Sequence, residues 1–236
     1  MDFITLSGSA GCGKTTIVQD FKREFPEKEI IFISSIASHL FSEAEKTIKG
    51  LPSSIENDDR SNFLEIIKYS DKKLNKYDDI NRLGLREWWQ SYMPKALSNI
   101  ALKTISDNEF KDNSIIITDR WYPDIMAYTA IESQNPLKKN TILQETNNIW
   151  NTTEEKLRNK VNRISFYVPW SSVKHQSAIE MEQKKVRATC DSFTYDEELF
   201  SIIKKSNHLS LFRTITASDR LDRVHQINTC LSNNDI

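Results

Sequence analysis

Glycine is scarce in this chain, with five in 236 residues. A protein so poor in glycine has few places for left-handed turns or glycine hinges, and no D-x-x-G switch segment occurs anywhere in it. An excess of one charge is missing as well. The 32 Lys and Arg stand against 33 Asp and Glu, for a formal net charge of −1. Nothing global therefore attracts nucleic acid or an anionic membrane, and any anion site must be local. Cysteine is limited to Cys12, Cys190 and Cys230, an odd set without a C-x-x-C or Cys/His pattern, which argues against structural zinc and for reduced thiols in a cytoplasmic protein. No run of about 18 apolar residues exists, and Asp2 appears at once with no basic-then-apolar leader, so neither a membrane span nor export is expected. With 38% hydrophobic and 28% charged residues, the expectation is one globular domain over 1–236. A homodimer is compatible with this composition and is not specified by it.

What is present alternates. Phe3 to Leu6 is a short apolar run that ends at a glycine cluster, and Thr15 to Phe25 follows with Ile17, Phe21 and Phe25 on one helical face. Glu29 to Ser35 (EIIFISS), Asn113 to Thr118 (NSIIIT), Asn162 to Val168 (NRISFYV) and Leu209 to Ile215 (LSLFRTI) have the β-branched, apolar character of buried strands. Helices are expected over 36–49, 62–76, 82–106, 122–132, 141–160 and 219–231. The pattern predicts an α/β fold with a five-stranded parallel sheet flanked by helices. The polar, turn-rich stretch 50–79 reads as a substrate-facing insertion.

Three of the five glycines fall within six positions, in SGSAGCGKTT, Ser7 to Thr16. Gly8, Gly13, Lys14 and Thr15 fit G-x-x-x-x-G-K-[ST], placed after a strand and at the start of a helix, which is the phosphate-binding loop of a P-loop NTPase. Backbone N–H groups must curl around a polyphosphate, which glycine permits, and the helix N-terminus adds an anion site. The loop Gly8, Ser9, Ala10, Gly11, Cys12, Gly13, Lys14, Thr15 and Thr16 is thus the candidate site for ATP, with Lys14 reaching the β- and γ-phosphates and the Thr15 hydroxyl holding Mg²⁺. Asn75-Lys76-Tyr77-Asp78 imitates the guanine-reading N-K-x-D pattern, but it follows the charged SDKKL rather than an apolar strand and reads as a solvated helix end.

In IIITDRWYPDIMAY, Ile115 to Tyr128, Asp119 stands where a buried strand ends, so its carboxylate can reach the Mg²⁺ region or cap the next helix. The segment resembles the P-loop nucleoside and nucleotide kinases of the thymidylate-kinase-like type, whose third strand ends in an Asp-Arg or Glu-Arg pair. Its form D-R-x-x-P-D-x-x-A-Y is similar to a subgroup of AAA-type ATP-binding proteins related to ribosylnicotinamide kinases. The resemblance covers the phosphate loop, this segment and the strand order. It implies that Asp119 acts at the metal or acceptor and that Arg120 holds the acceptor or transferring phosphate through its forked donors. Asp124 and Tyr128 share a helix face, and Pro123 suits a helix start.

The resemblance also implies a basic lid at 180–192 (EMEQKKVRATCDS), in which Lys184, Lys185 and above all Arg187 would neutralise migrating charge. A solvated helix with an ion pair from Glu180 to Lys184 is the plainer alternative. Thr214 to Ser218 would run past the adenine. On the acceptor side, similar nucleoside kinases carry a carboxylate just after the second strand, whereas this chain has Ser34-Ser35-Ile36-Ala37-Ser38 and no acid before Glu43. An anionic acceptor needs no general base, so the departure favours a nucleoside monophosphate, while Glu87 or Asp124 as a base from elsewhere would keep a nucleoside acceptor open. In LREWWQSY, Leu85 to Tyr92, Trp88 or Trp89 could stack on a base and Gln90 could pair with its edge. Adjacent tryptophans face different sides of a helix, so one belongs to the core.

These residues lead to an ATP- and Mg²⁺-dependent phosphotransferase with Lys14, Asp119, Arg120 and Arg187 as catalytic residues. Thr15 and Asp119 would hold the metal, and Trp88, Gln90, Arg120 and Asp124 would meet a small nucleotide acceptor, a deoxynucleoside monophosphate foremost. A nucleoside, nicotinamide riboside or a polynucleotide end or base remain as acceptors, and a slow nucleotide-binding ATPase regulator remains as the alternative class.

Overall fold

The computed structural model describes residues 1–9, 11–33, 86–107, 110, 114–133, 135–170 and 192–232. Five strands, β1 (Asp2–Ser7), β2 (Ile30–Ile33), β3 (Ile115–Thr118), β4 (Asn162–Tyr167) and β5 (Phe212–Thr214), form one sheet in the order β2-β3-β1-β4-β5. Every pairing is parallel, with Phe3 opposite Ile116 on one side and Arg163 on the other. The helices among the described residues are α1 (Lys14–Glu24), α2 (Arg86–Asp107), α3 (Tyr122–Glu132), α4 (Pro136–Arg158), α5 (Ser192–Lys205) and α6 (Arg220–Ser232).

Alternation along the strands divides the core between the two sheet faces. Ile4, Leu6, Ile115, Ile117, Ile164 and Phe166 pack against Ile17, Val18 and Phe21 of α1 and Val224, Ile227 and Leu231 of α6. Phe3, Ile33 and Ile116 point the other way, into Leu97 and Ala101 of α2, Trp121 and Tyr122 at the start of α3, and Trp150 and Leu157 of α4. Each fully buried Phe or Ile contributes about 1.5–3 kcal/mol. Because helices cover both faces, β3 can be buried along its whole length, which is why its sequence is an unbroken apolar run ending in Thr118.

Several boundaries differ from the sequence reading for local reasons. Helix α4 begins at Pro136 rather than 141, because Asn135 caps it by accepting from the Leu137 and Lys138 amides at 3.1 and 3.2 Å. The fifth strand is shorter than 209–215. Leu209–Leu211 forms a 3-10 turn, and Arg213 donates back to the Ser210 carbonyl at 2.7 Å, so pairing with β4 starts only at Phe212. Helix α5 was not expected at all. Its buried Tyr195, Leu199 and Ile203 recur every four residues, and that stripe is the sequence signal for it. The expected helices at 36–49 and 62–76, the insertion at 50–79 and the lid at 180–192 up to Ser192, the first residue of α5, lie outside the described residues.

Helix α2 is placed by its contacts along its length. Arg86 Nη1 donates to the Glu132 carbonyl at the end of α3 at 3.3 Å, and twelve residues later Ser98 Oγ meets Thr153 Oγ1 of α4 at 2.8 Å. Thr153 Oγ1 is also 2.8 Å from the Tyr122 hydroxyl at the start of α3. The first turn of α2 thus lies beside the end of α3, and its middle beside Thr153 and, through it, Tyr122.

Candidate active site

The loop from Gly8 to Thr15 connects β1 to α1. Gly11 and Gly13 have φ of 82° and 94°, and Gly13 is the residue that caps α1. A side chain at either would force a strained left-handed conformation. Gly8 is required for a different reason, close approach: a Cβ there would lie 2.5 Å from the Val168 carbonyl oxygen and 2.8 Å from Cys12 Sγ. The Lys14 ammonium, buried under this loop, donates to the carbonyls of Gly8 at 2.7 Å and Ser9 at 2.9 Å, with Cys12 Sγ at 3.5 Å. Ser9 Oγ is buried and has no partner. Thr16 is half-buried on the first turn of α1, and Ala10 lies outside the described residues.

Across from the loop, Asp119 leaves the end of β3. Its Oδ2 is 3.5 Å from the exposed Thr15 hydroxyl, while Oδ1 is buried and without a partner. Burial pushes the Asp119 pKa upward, against the pull of Arg120 and Lys14. A carboxylate with one orphaned oxygen beside a threonine hydroxyl suits a hard cation that keeps most of its ligands as water and phosphate. Among the described residues no cluster of three His, Cys, Asp or Glu side chains could form an all-protein metal cage. Arg120 is half-buried; its guanidinium donates from Nη1 to the Tyr128 hydroxyl at 3.1 Å and lies over that ring at 5.1 Å.

Asp124 is engaged within the chain. It is fully buried at the start of α3, where Oδ1 accepts from the Gly8 amide at 3.2 Å and from the Tyr195 hydroxyl at 3.0 Å. Its Oδ2 accepts from the Trp121 amide at 3.1 Å, as a carboxylate in the first turn commonly does for the residue preceding the helix. Oδ1 thus takes two donors and Oδ2 one, so both oxygens have work within the fold. Glu87 is committed too, 2.6 Å from the Lys138 ammonium at the surface. On α2, Trp89 is 4% exposed and is the core member of the tryptophan pair, while Trp88 is partly exposed and stacks on Tyr92 with ring centroids 5.4 Å apart. Gln90 is 3% exposed, and neither Oε1 nor Nε2 has a hydrogen-bond partner. A buried carboxamide left without partners costs free energy, about 1–3 kcal/mol for each unsatisfied group.

Two residues the sequence reading missed fix the loop 214–218. Gln226 of α6 accepts from the Thr216 and Ala217 amides at 3.2 and 3.3 Å and donates to the Thr214 carbonyl at 3.1 Å. Arg223, 5% exposed, donates to the Ala217 carbonyl at 3.0 Å and to the Cys12 carbonyl at 3.1 Å, tying this loop to the glycine loop. The available signal was an arginine in register with the apolar side of the last helix, next to Val224 and Ile227. Arg187 lies outside the described residues.

No family model matches the sequence, and no curated protein matches it. Among solved structures, the chain is similar to an NadR protein solved in complex with NR, with a TM-score of 0.51 and 14% identity over 98% of this chain and 49% of that one. This chain thus spans about half the length of that NadR chain. A thymidylate kinase from Ehrlichia chaffeensis superposes with a TM-score of 0.45 and 15% identity over 98% of both chains. At such identities the likeness concerns the fold alone, and that fold, five parallel strands flanked by helices, is the one expected from the sequence. No helix among the described residues is long and apolar enough to cross a membrane.

Proposed function

We propose that this chain is a P-loop kinase that transfers the γ-phosphoryl group of ATP to a small nucleotide, a deoxynucleoside monophosphate first among them. The observation that carries the reading is the meeting of Thr15 and Asp119, 3.5 Å apart, at the mouth of a glycine loop that holds a buried lysine. In this reading the loop amides cradle the triphosphate, and Lys14 exchanges its two carbonyl partners for phosphate oxygens. Thr15 and Asp119 would hold Mg²⁺, which supplies charge neutralisation of the phosphates. Arg120 commits Nη1 to Tyr128 and keeps its other donors for the migrating or accepting phosphate. Arg187 is proposed as the second arginine; Arg187→Ala should lower turnover more than ATP affinity, and a loss confined to affinity would remove that role.

The choice of acceptor rests on two observations. Both carboxylates that could serve as a general base already have partners in the chain, Asp124 accepting from three donors and Glu87 pairing with Lys138. An acceptor that is already an anion does not need one. The unpartnered Gln90 amide offers one donor and one acceptor side by side, the complement of a nucleobase edge, and the exposed part of Trp88 offers a stacking surface. Nicotinamide riboside belongs in the same panel because a protein of this fold was solved with NR.

The test is label transfer from γ-labelled ATP, with Mg²⁺, to separate pools of nucleosides, nucleoside monophosphates, nicotinamide riboside and short oligonucleotides. Label in the monophosphate pool supports the proposal. Label in another pool replaces the acceptor. Label only in free phosphate, at a rate that no pool changes, replaces the kinase by a nucleotide-binding ATPase regulator.

A further inference from the structure

Asp124 is an expensive residue to place beside a polyanion site. It is a fully buried carboxylate, it lies next to the loop read as the triphosphate cradle, and its charge opposes the ligand's. Capping α3 does not account for it, because that task uses only Oδ2 and the Trp121 amide. The other oxygen collects two donors from distant parts of the chain, the Gly8 amide at 3.2 Å and the Tyr195 hydroxyl at 3.0 Å.

Gly8 is the residue on which β1 gives way to the loop, and it is held at both ends. Its amide donates to Asp124, and its carbonyl accepts the Lys14 ammonium at 2.7 Å. Its Cα lies where a Cβ would come within 2.5 Å of the Val168 carbonyl, and each of its two peptide groups is engaged by one of these hydrogen bonds. Tyr195 enters from α5. Its ring packs on Tyr128 with centroids 4.6 Å apart, and the Tyr128 hydroxyl in turn receives Arg120. One carboxylate therefore joins the glycine loop, the start of α3 and the start of α5.

We infer that Asp124, oriented by the Tyr195 hydroxyl, is the positioning residue of the phosphate-binding loop, setting the Gly8 peptide so that the amides that follow it converge on a phosphate. The inference rests on reading that loop as a triphosphate site. It also means that the Gly8 amide is spent on Asp124 and takes no phosphate, so the cradle starts after it.

The experiment compares the full chain with Tyr195→Phe and Asp124→Asn, titrating each with ATP and with inorganic tripolyphosphate by tryptophan fluorescence and recording thermal melts alongside. Tyr195→Phe keeps the packed ring and removes one hydrogen bond to the carboxylate. It should weaken both ligands by the same factor, about tenfold, or 1.4 kcal/mol. Asp124→Asn puts an N–H donor against one of two amide donors and should weaken both ligands further. Equal losses for ATP and tripolyphosphate support a role in the phosphate cradle. Unchanged affinities with a lowered melting temperature would reduce Asp124 to a packing residue, and a loss confined to ATP would move its effect to the nucleoside; either overturns the inference. Tyr195→Phe keeps this decidable if Asp124→Asn does not fold. Parallel losses in a chain that phosphorylates no acceptor would support the clamp and remove the kinase reading alone, whereas a wild-type chain that binds neither ligand would remove both.

Discussion

Asp119, past the C-terminal end of β3, and Glu154, beside the N-terminal ends of β1 and β4, are both buried acids, and they are partnered very differently. Glu154 accepts from Arg163 Nε and Nη2 at 2.9 and 2.8 Å and from the indole N–H groups of Trp121 and Trp150 at 2.8 and 3.2 Å. Arg163 is completed by the Phe3 carbonyl at 2.8 Å and lies over the rings of Phe3 and Trp121. Burial works against the Glu154 charge, but Arg163 and the two indoles prevail and hold its pKa below the ordinary range. Asp119 has one oxygen without a partner and a pKa raised by burial. A closed set of partners marks a group whose work is done within the fold, and an open one marks a group that has a partner still to come.

The contrast is sharpest where substitution should separate activity from stability. Under the proposed function, Lys14→Ala should reduce phosphoryl transfer by about 1,000-fold or more, far more than the loss of its hydrogen bonds to the Gly8 and Ser9 carbonyls, about 1 kcal/mol each, accounts for. A variant with full transfer would break the comparison at its catalytic end. Arg163→Met should do the reverse. Removing one partner of a buried ion pair costs about 3–5 kcal/mol, and the folded fraction should keep its ATP affinity. A stable Arg163→Met chain with lost ATP binding would show that the far end of the sheet belongs to the site.

Gln90→Leu sharpens the same distinction with a neutral group. Filling the space with an apolar side chain removes two unsatisfied polar atoms, so the melting temperature should rise by about 2–4 °C while the KM for the acceptor rises about tenfold or more. A lower melting temperature with an unchanged KM would make Gln90 an ordinary core residue. The smallest effect is on pH. Because the folded pKa of Glu154 is depressed, its contribution to stability is complete above the ordinary glutamate range and is lost as pH falls through the lower folded value. Urea midpoints followed downward from pH 5 should fall less steeply in Glu154→Gln than in the wild type. Equal slopes would detach Glu154 from the acid limb.

The glycine-loop side of the candidate site is legible because it is local. The nine residues from Gly8 to Thr16 follow one another, and Asp119 sits at the end of a strand whose apolar run announces it. The acceptor half was legible only as residue types. Gln90 and Trp88 were found on their helix, but nothing in the order W-W-Q says which tryptophan is buried or that the amide lacks partners. Asp124 stands in the sequence as an acid near the start of a helix, and two of its partners, Gly8 and Tyr195, are 116 and 71 positions away, out of reach of a reading by local pattern. Arg223 escaped notice for the same reason, since it reaches the Cys12 carbonyl across 211 positions. Interactions of that span depend on how elements pack, which the hydrophobic period of a single element does not encode.

If the loop is a triphosphate site, as proposed, the lysine lying on the carbonyls of Gly8 and Ser9 makes the protein's own backbone a competitor of the ligand. Ligand entry is then an exchange, in which the newcomer must offer the ammonium at least what two carbonyl oxygens already give it. Chloride, or a single phosphate held by a few amides, offers little beyond that, whereas a triphosphate with its cation offers several oxygens at once. Under the proposed function, the loop would favour a polyphosphate over a small anion to the extent that it out-competes two backbone carbonyls for the ammonium.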